Sequence, residues 1–143
     1  MNWDAMVMDT NVVIEHRMST VPGRVSAVVL QELAAGARDA AEVRRLRSVY
    51  QTAKANGLLL TPDGEDWLHA GKVLNSLLRN VPSRRAGRTH GIDKGEQQRL
   101  LRDALIARSA KRVNAAVVTY NVGDFEKIRR FCDVRVRHPA DVL

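Results

Sequence analysis

The sequence has a single cysteine, Cys132, few aromatic residues and no long apolar run. One cysteine cannot form a disulfide within the chain, so we expect a protein of the reducing cytoplasm. No apolar segment approaches the roughly 18 residues that a membrane-spanning helix requires. The first residues lack the basic and apolar regions of a signal peptide. These absences argue against secreted and membrane proteins.

Aromatic side chains make up only 4% of the 143 residues, whereas basic side chains are abundant. Proteins that hold single-stranded nucleic acid by base stacking use aromatic rings, so contacts to phosphates are the better expectation here. There are 23 Lys and Arg residues against 16 Asp and Glu, which gives a net charge of +7. Such an excess favours a polyanionic partner, above all nucleic acid, although a merely solvated basic surface has the same composition.

Short apolar runs alternate with segments of helical periodicity along the chain. Four strands are predicted, at residues 5–8, 58–60, 115–119 and 134–136. Helices are predicted from residue 12, over 27–37 and 40–55, after 61–63, over 96–112 and over 125–131. Strands separated by helices indicate an α/β fold with a central, mostly parallel sheet flanked by helices, in one domain over residues 1–143.

Two segments need a closer reading. Residues 25–29 fit a strand, but Ser26 also fits a helix N-cap, and the helical spacing of Leu30 and Leu33 favours the cap. In the helix after residue 63, the periodicity predicts one apolar face, formed by Trp67, Leu68, Gly71, Leu74, Leu77 and Leu78.

Two aspartates follow predicted strands. Asp9 comes directly after the first strand, at the edge where open α/β sheets bind ligands, although an aspartate also commonly caps its own turn. Asp124 follows strand 115–119 and precedes a helix, so it is either a ligand or the N-cap of that helix.

Two further acids lie on apolar helices. Glu32 is either a functional carboxylate or a boundary residue exposed to solvent. Asp103 interrupts an apolar stripe, where a carboxylate is costly unless it is paired or binds a cation. Arg99 and Arg102 are close to it in sequence, so a partly buried ion pair is the structural alternative.

If these four carboxylates converge, they form an all-oxygen site of the kind that suits Mg²⁺ or Mn²⁺. The four histidines are scattered without a close His or Cys partner, so no rival metal site is predicted. The sequence has no glycine-rich phosphate loop and no nucleophile-elbow motif, which argues against nucleotide cofactors and Ser-His-Asp catalysis.

Four segments resemble the four acidic motifs of PIN-domain ribonucleases. They are residues 8–14 (MDTNVVI), 31–36 (QELAAG), 103–110 (DALIARSA) and 118–125 (VTYNVGDF). The segments occur in the family's order and span nearly the whole chain. The subfamily to which they are most similar is the VapC-type toxin of bacterial toxin–antitoxin pairs.

The resemblance implies a PIN-like three-layer fold and an endoribonuclease that hydrolyses RNA with Mg²⁺ or Mn²⁺. It also implies a homodimer and a protein antitoxin that covers the site. By position, the family's catalytic residues correspond to Asp9, Glu32, Asp103 and Asp124. The implied metal ligands are Asp9, Asp103 and Asp124, and the implied supporting residues are Asn11, Thr119 and Asn121.

One departure from the family is a long, Arg-rich segment that precedes Asp103. It contains Arg79, Arg84, Arg85, Arg88 and Lys94, opposed only by Asp93. We expect these basic side chains to guide RNA to the site, although a merely solubilising loop has the same composition.

Two other functions stay open from the sequence. One is a housekeeping RNA-processing nuclease without an antitoxin, and a small antitoxin gene beside this one would argue against it. The other is a non-catalytic RNA- or protein-binding module with the same fold. The presence of all four acidic residues argues against that module, because a carboxylate cluster repels a polyanion.

Overall fold

The computed structural model describes residues 2–79 and 92–143, in which short parallel strands alternate with helices. The strands are β1 (Met6–Met8), β2 (Val25–Ser26), β3 (Leu59–Leu60), β4 (Ala116–Val118) and β5 (Val136–Arg137). The helices are α1 (Thr10–Glu15), α2 (Ala27–Ala35), α3 (Ala40–Ala55), α4 (Gly64–Arg79), α5 (Lys94–Arg112) and α6 (Val122–Arg129). This alternation confirms the expected α/β class, with a parallel sheet flanked by helices.

All the described strands pair in parallel. β4 lies between β1 and β5, in a register that puts Val118 opposite Met8. β2 pairs with β3, and a parallel bridge between Val7 and Arg24 joins the two groups of strands. The order is therefore β3-β2-β1-β4-β5. The chain crosses to β2 on one side of β1 and to β4 on the other, which makes the β1–β4 edge a topological switch point.

The segment at Ser26 is both a strand and a helix cap. Val25–Ser26 form β2, while the Ser26 hydroxyl accepts a hydrogen bond from the backbone N–H of Val28 at the start of α2. The predicted cap is therefore confirmed, but the strand it was preferred to is present as well, so the described chain has five strands where four are predicted. A strand of two residues is too short to leave an alternating pattern.

Helix α5 carries Asp103 against the core. Ile106 and Ala107 are fully buried and belong to the same apolar cluster as Val7 of β1 and Val117 of β4. Asp103 lies one turn earlier on the same helix and is also buried. The apolar packing of α5 on the sheet therefore fixes where this carboxylate lies.

Helix α4 is rotated relative to the face predicted for it. Its buried residues are Asp66, Ala70, Val73 and Leu77. Trp67 and Leu68, predicted on the apolar face, are 55% and 58% exposed. The Asp66 carboxylate is fully buried and pairs with Arg112 at 2.9 Å and Arg108 at 3.4 Å, both on α5. Asp66 therefore lies on the same buried face as Ala70, Val73 and Leu77, and of these only Leu77 belongs to the predicted face.

Helix α6 begins at Val122, earlier than predicted, so Asp124 lies in its first turn. Asn121 occupies the N-cap position, and the cap predicted for Asp124 is wrong. A carboxylate in the first turn still interacts favourably with the helix dipole. Within residues 2–79 and 92–143, no helix has both the length and the apolar character needed to cross a membrane.

Candidate active site

Asp9 and Thr119 directly follow β1 and β4, at the edge where these neighbouring strands end. The backbone N–H of Asp9 donates to the carbonyl of Val118 at 2.9 Å, so strand pairing continues up to the site. Asp9 Oδ2 accepts a hydrogen bond from Thr119 Oγ1 at 2.8 Å, and Oδ1 accepts one from the backbone N–H of Thr10 at 2.8 Å. Both side chains are buried, and these bonds hold the Asp9 carboxylate in one orientation.

Two asparagines extend this network to a second carboxylate. Thr119 Oγ1 accepts hydrogen bonds from the backbone N–H of Asn121 at 2.9 Å and from Asn11 Nδ2 at 3.4 Å. Asn121 Nδ2 donates to Asp124 Oδ2 at 2.9 Å. A continuous chain of hydrogen bonds therefore joins Asp9 to Asp124 through the residues predicted to support the site.

Asp103 is the carboxylate on which the others act most strongly. Burial raises the pKa of Asp103 to about 8, and the negative charges of Asp9, Glu32 and Asp124 contribute to the increase. The guanidinium of Arg99 opposes this increase in the pKa in part. Carboxylates influence each other in this way only at short range, so the fold brings together four acids that are distant in sequence.

The pKa values of two other acids also lie above their usual range. Burial raises the pKa of Asp9, and the hydrogen bonds from Thr119 and Thr10 offset this in part. Burial also raises the pKa of Glu32, where the cation of Arg102 lowers it and the charge of Asp9 raises it. Each raised pKa means that the folded protein disfavours a negative charge at that position.

Basic side chains contact Asp124 on both sides. Arg99 Nη2 lies 3.3 Å from Asp124 Oδ2, and Lys127 Nζ lies 3.6 Å from Asp124 Oδ1. Lys127 is not among the residues predicted from the sequence. Its position three residues after Asp124 on a helix is the signal that could have identified it.

The second arginine of α5 pairs with a different acid. Arg102 Nε lies 4.0 Å from Glu32 Oε2, and the Glu32 side chain is only 26% exposed, so this residue is not a fully solvated boundary residue. In the described part of the chain, neither Arg99 nor Arg102 forms an ion pair with Asp103. The structural alternative for Asp103, an ion pair with one of these arginines, is therefore wrong.

The cluster has the right donors for a divalent cation but is not arranged as a finished coordination sphere. Across residues 2–79 and 92–143, no three side chains of His, Cys, Asp or Glu are grouped as ligands of one ion. Asp124 instead faces Arg99 and Lys127. Asp9 and Asp103 are buried without a cationic partner in this part of the chain, which is costly. A Mg²⁺ or Mn²⁺ ion would remove that cost, so these residues fit such an ion.

Of the segment predicted to bind RNA, the structure describes only the two ends. Arg79 is the last residue of α4, Lys94 is the first residue of α5, and both are exposed. Arg84, Arg85 and Arg88 lie outside the described residues, so their role stays a prediction.

The chain matches no protein-family model and no curated protein sequence. Among solved structures, FitAB bound to an IR36 DNA fragment is 18% identical, with a TM-score of 0.61 and 94% of each chain covered. DNA-bound VapBC from Salmonella typhimurium is 22% identical over 93% of this chain and 96% of that chain, with a TM-score of 0.56. FitAcB from Neisseria gonorrhoeae is 19% identical over 96% and 99% of the two chains, with a TM-score of 0.56.

These likenesses extend over nearly the whole chain and concern the fold. The fold is that of the PIN domain, as expected from the four acidic motifs. The resemblance to VapC-type proteins seen in the sequence is therefore confirmed at the level of the fold.

Proposed function

We propose that the protein is a divalent-metal-dependent endoribonuclease that acts as the toxin of a toxin–antitoxin pair. The observation that carries this proposal is that Asp9 and Asp103 are buried without an ion pair in the described residues, while the charges of Asp9, Glu32 and Asp124 all act on Asp103. A cluster of this kind destabilises the fold on its own, whereas a cluster that binds a cation is stabilised by it.

Asp9, Asp103 and Asp124 are the residues that we assign to hold Mg²⁺ or Mn²⁺. When bound, such an ion screens the charge of the phosphodiester and lowers the pKa of a water molecule. The Asp124 carboxylate would hold the ion in competition with Arg99, whose Nη2 lies 3.3 Å from Asp124 Oδ2. An Arg99 side chain released from Asp124 would be available to the negative charge of the substrate.

The remaining residues of the site orient the carboxylates and accept a proton. Thr119 donates to Asp9, and Asn121 donates to Asp124, so both carboxylates keep a fixed direction. Asn11 supports the Thr119 hydroxyl. Glu32 has the most exposed side chain of the four acids, and we assign its carboxylate to accept the proton of the attacking water.

RNA is the proposed substrate because the chain has a net charge of +7, and Arg99 and Lys127 flank the carboxylates. Basic side chains beside an acidic site attract a phosphate backbone that the carboxylates alone would repel. The proposed partner is a protein antitoxin, since the structures that the chain resembles are FitAB and VapBC assemblies. We also propose a homodimer, on the family resemblance alone.

Cleavage of end-labelled mixed RNA by the purified protein tests this function. We expect cleavage with Mg²⁺ or Mn²⁺ and none with EDTA. Asp103→Asn should abolish it, whereas Asp133→Asn, which changes an exposed aspartate outside the cluster, should not. Because the two variants are purified identically, they also control for contaminating nucleases. If the wild-type protein binds RNA but leaves it intact with every metal, the chain is a binding module and not a nuclease.

A further inference from the structure

Three rings from distant parts of the chain meet at the surface beside the carboxylates. His16 follows α1, Tyr120 follows β4 by two residues, and His138 follows β5. The rings of Tyr120 and His138 are perpendicular, with centroids 5.3 Å apart. The rings of His16 and Tyr120 are nearly parallel, with centroids 6.0 Å apart. We call these residues the three-ring cluster.

The rings of His16 and Tyr120 are nearly parallel and lie side by side. Their planes differ by only 6°, and His16 Nε2 lies 2.7 Å from the Tyr120 hydroxyl oxygen. Both atoms lie in the planes of their rings, so the two parallel planes are separated by no more than that distance. Carbon rings that overlap are about 3.5 Å or more apart. The two rings therefore lie side by side, and together they offer a broad aromatic face.

This arrangement contributes little to the core. Tyr120 is 40% exposed, and His16 is exposed. Burial of apolar surface is what makes a packed ring stabilising, and here much of that surface stays in contact with water. Exposed aromatic and apolar side chains that cluster at one place are typical of a binding surface.

The three-ring cluster adjoins the carboxylates through the backbone. The backbone N–H of Tyr120 donates to Asn11 Oδ1 at 3.4 Å, and Tyr120 directly follows Thr119, whose hydroxyl donates to Asp9. Consecutive Cα atoms are about 3.8 Å apart. The Tyr120 backbone therefore lies one residue from the Thr119–Asp9 hydrogen bond, beside the place proposed for the scissile phosphate.

Positive charge flanks the same surface. Arg17 follows His16 and Arg137 precedes His138, and both are exposed. Neither arginine forms an ion pair within residues 2–79 and 92–143. Aromatic faces bordered by cations are the combination with which proteins hold single strands, the rings for bases and the cations for phosphates.

We propose that the three-ring cluster stacks one nucleobase of a single-stranded RNA whose scissile phosphate lies at the carboxylates. This inference rests on the proposed nuclease function and adds to it how the strand is held. Stacking on a ring tolerates any base, since every base has a π face. The cluster therefore positions the strand without specifying a sequence. The low aromatic content of the chain does not prevent this, because two of the three rings are histidines, which that count of Phe, Trp and Tyr leaves out.

Binding of a fluorescein-labelled RNA dodecamer in EDTA, followed by fluorescence anisotropy, tests the inference without cleavage. Tyr120→Leu removes the ring, whereas Tyr120→Phe keeps the ring and removes only the hydroxyl. We expect Tyr120→Leu to weaken binding about 5- to 30-fold and Tyr120→Phe less than about 3-fold. Trp67→Leu, which removes an exposed ring on α4, is the matched control and should bind as the wild type does.

A second oligonucleotide, which has no bases, separates stacking from contacts to the phosphates. In a dodecamer of tetrahydrofuran spacers, the phosphates are kept and the bases are absent, so Tyr120→Leu and Tyr120→Phe should bind it equally. Equal binding of the base-bearing RNA by these two variants would overturn the inference, and so would a difference that persists on the spacer strand. Cleavage by the wild type with Mg²⁺ decides the nuclease function separately. The inference can therefore fail while that function stands.

Discussion

The negative charge of Asp103 destabilises the metal-free protein, and Asp103→Asn removes this destabilising charge. The pKa of this carboxyl is raised from 3.8 to about 8 by burial and by three neighbouring acids. Between these values the folded protein holds a proton that the unfolded chain has released. The contribution of Asp103 to the free energy of unfolding therefore falls as the pH rises from about 4 to about 8. Asparagine keeps the shape of the side chain and carries no charge at any pH.

The magnitude follows from the width of that interval. About 4 pH units at about 1.4 kcal/mol each mean that ionisation of Asp103 can lower the free energy of unfolding by at most about 6 kcal/mol at pH 8. Arg99 can turn from Asp124 toward an ionised Asp103 and recover part of this energy. We therefore expect Asp103→Asn to be more stable than the wild type by about 2 kcal/mol at pH 8 in EDTA, and equally stable at pH 4.

Urea denaturation in EDTA at several pH values measures this difference directly. Asp133→Asn is the control, because it removes an exposed aspartate, and it should follow the wild type at every pH. With Mn²⁺ at about 100 times its dissociation constant, the wild type should gain about 2.7 kcal/mol and Asp103→Asn much less. A variant that is less stable than the wild type at pH 8 in EDTA would refute the reasoning, since Asp103 would then be a stabilising residue.

Three other variants test separate parts of the protein. Arg99→Gln should tighten Mn²⁺ binding several-fold in isothermal titration calorimetry, because it removes a cation that competes for the site; unchanged or weaker binding would contradict this. Asp66→Asn should lower the free energy of unfolding by about 1–3 kcal/mol in urea, because it leaves Arg108 without its ion pair and Arg112 paired with Asp63 alone. Its cleavage rate per folded molecule should not change. Replacing Arg84, Arg85 and Arg88 with Ala should reduce the log–log salt dependence of RNA binding by up to about 0.7 per lost phosphate contact; an unaltered slope and affinity would exclude these arginines as the guide for RNA.

The acidic positions could be predicted from the sequence because each carries its own local signal. Asp9 follows an apolar run, and Asp103 interrupts an apolar stripe on a helix. Their mutual approach depends on the strand order, in which β1 and β4 become neighbours although most of the chain separates them. No local pattern encodes that pairing. The four motifs of the family resemblance supplied the expectation instead.

Features that depend on polar contacts between distant elements could not be predicted in this way. The predicted face of α4 contains Trp67, whereas the structure exposes Trp67 and buries Asp66 against two arginines of α5. The three-ring cluster joins His16 and Tyr120, which are 104 residues apart in sequence. A low aromatic content indicates few rings, but it does not indicate whether the fold gathers them.

Binding of Mn²⁺ to the purified protein, measured by the loss of the free-ion signal in electron paramagnetic resonance, is the most direct test of the carboxylate cluster as a metal site. The measurement is made for the wild type, Asp103→Asn and Asp133→Asn, each alone and with a single-stranded oligonucleotide. We predict that the wild type and Asp133→Asn bind Mn²⁺ at the cluster and that Asp103→Asn does not. Equal binding by all three proteins, or none by the wild type even with the oligonucleotide, would contradict the account.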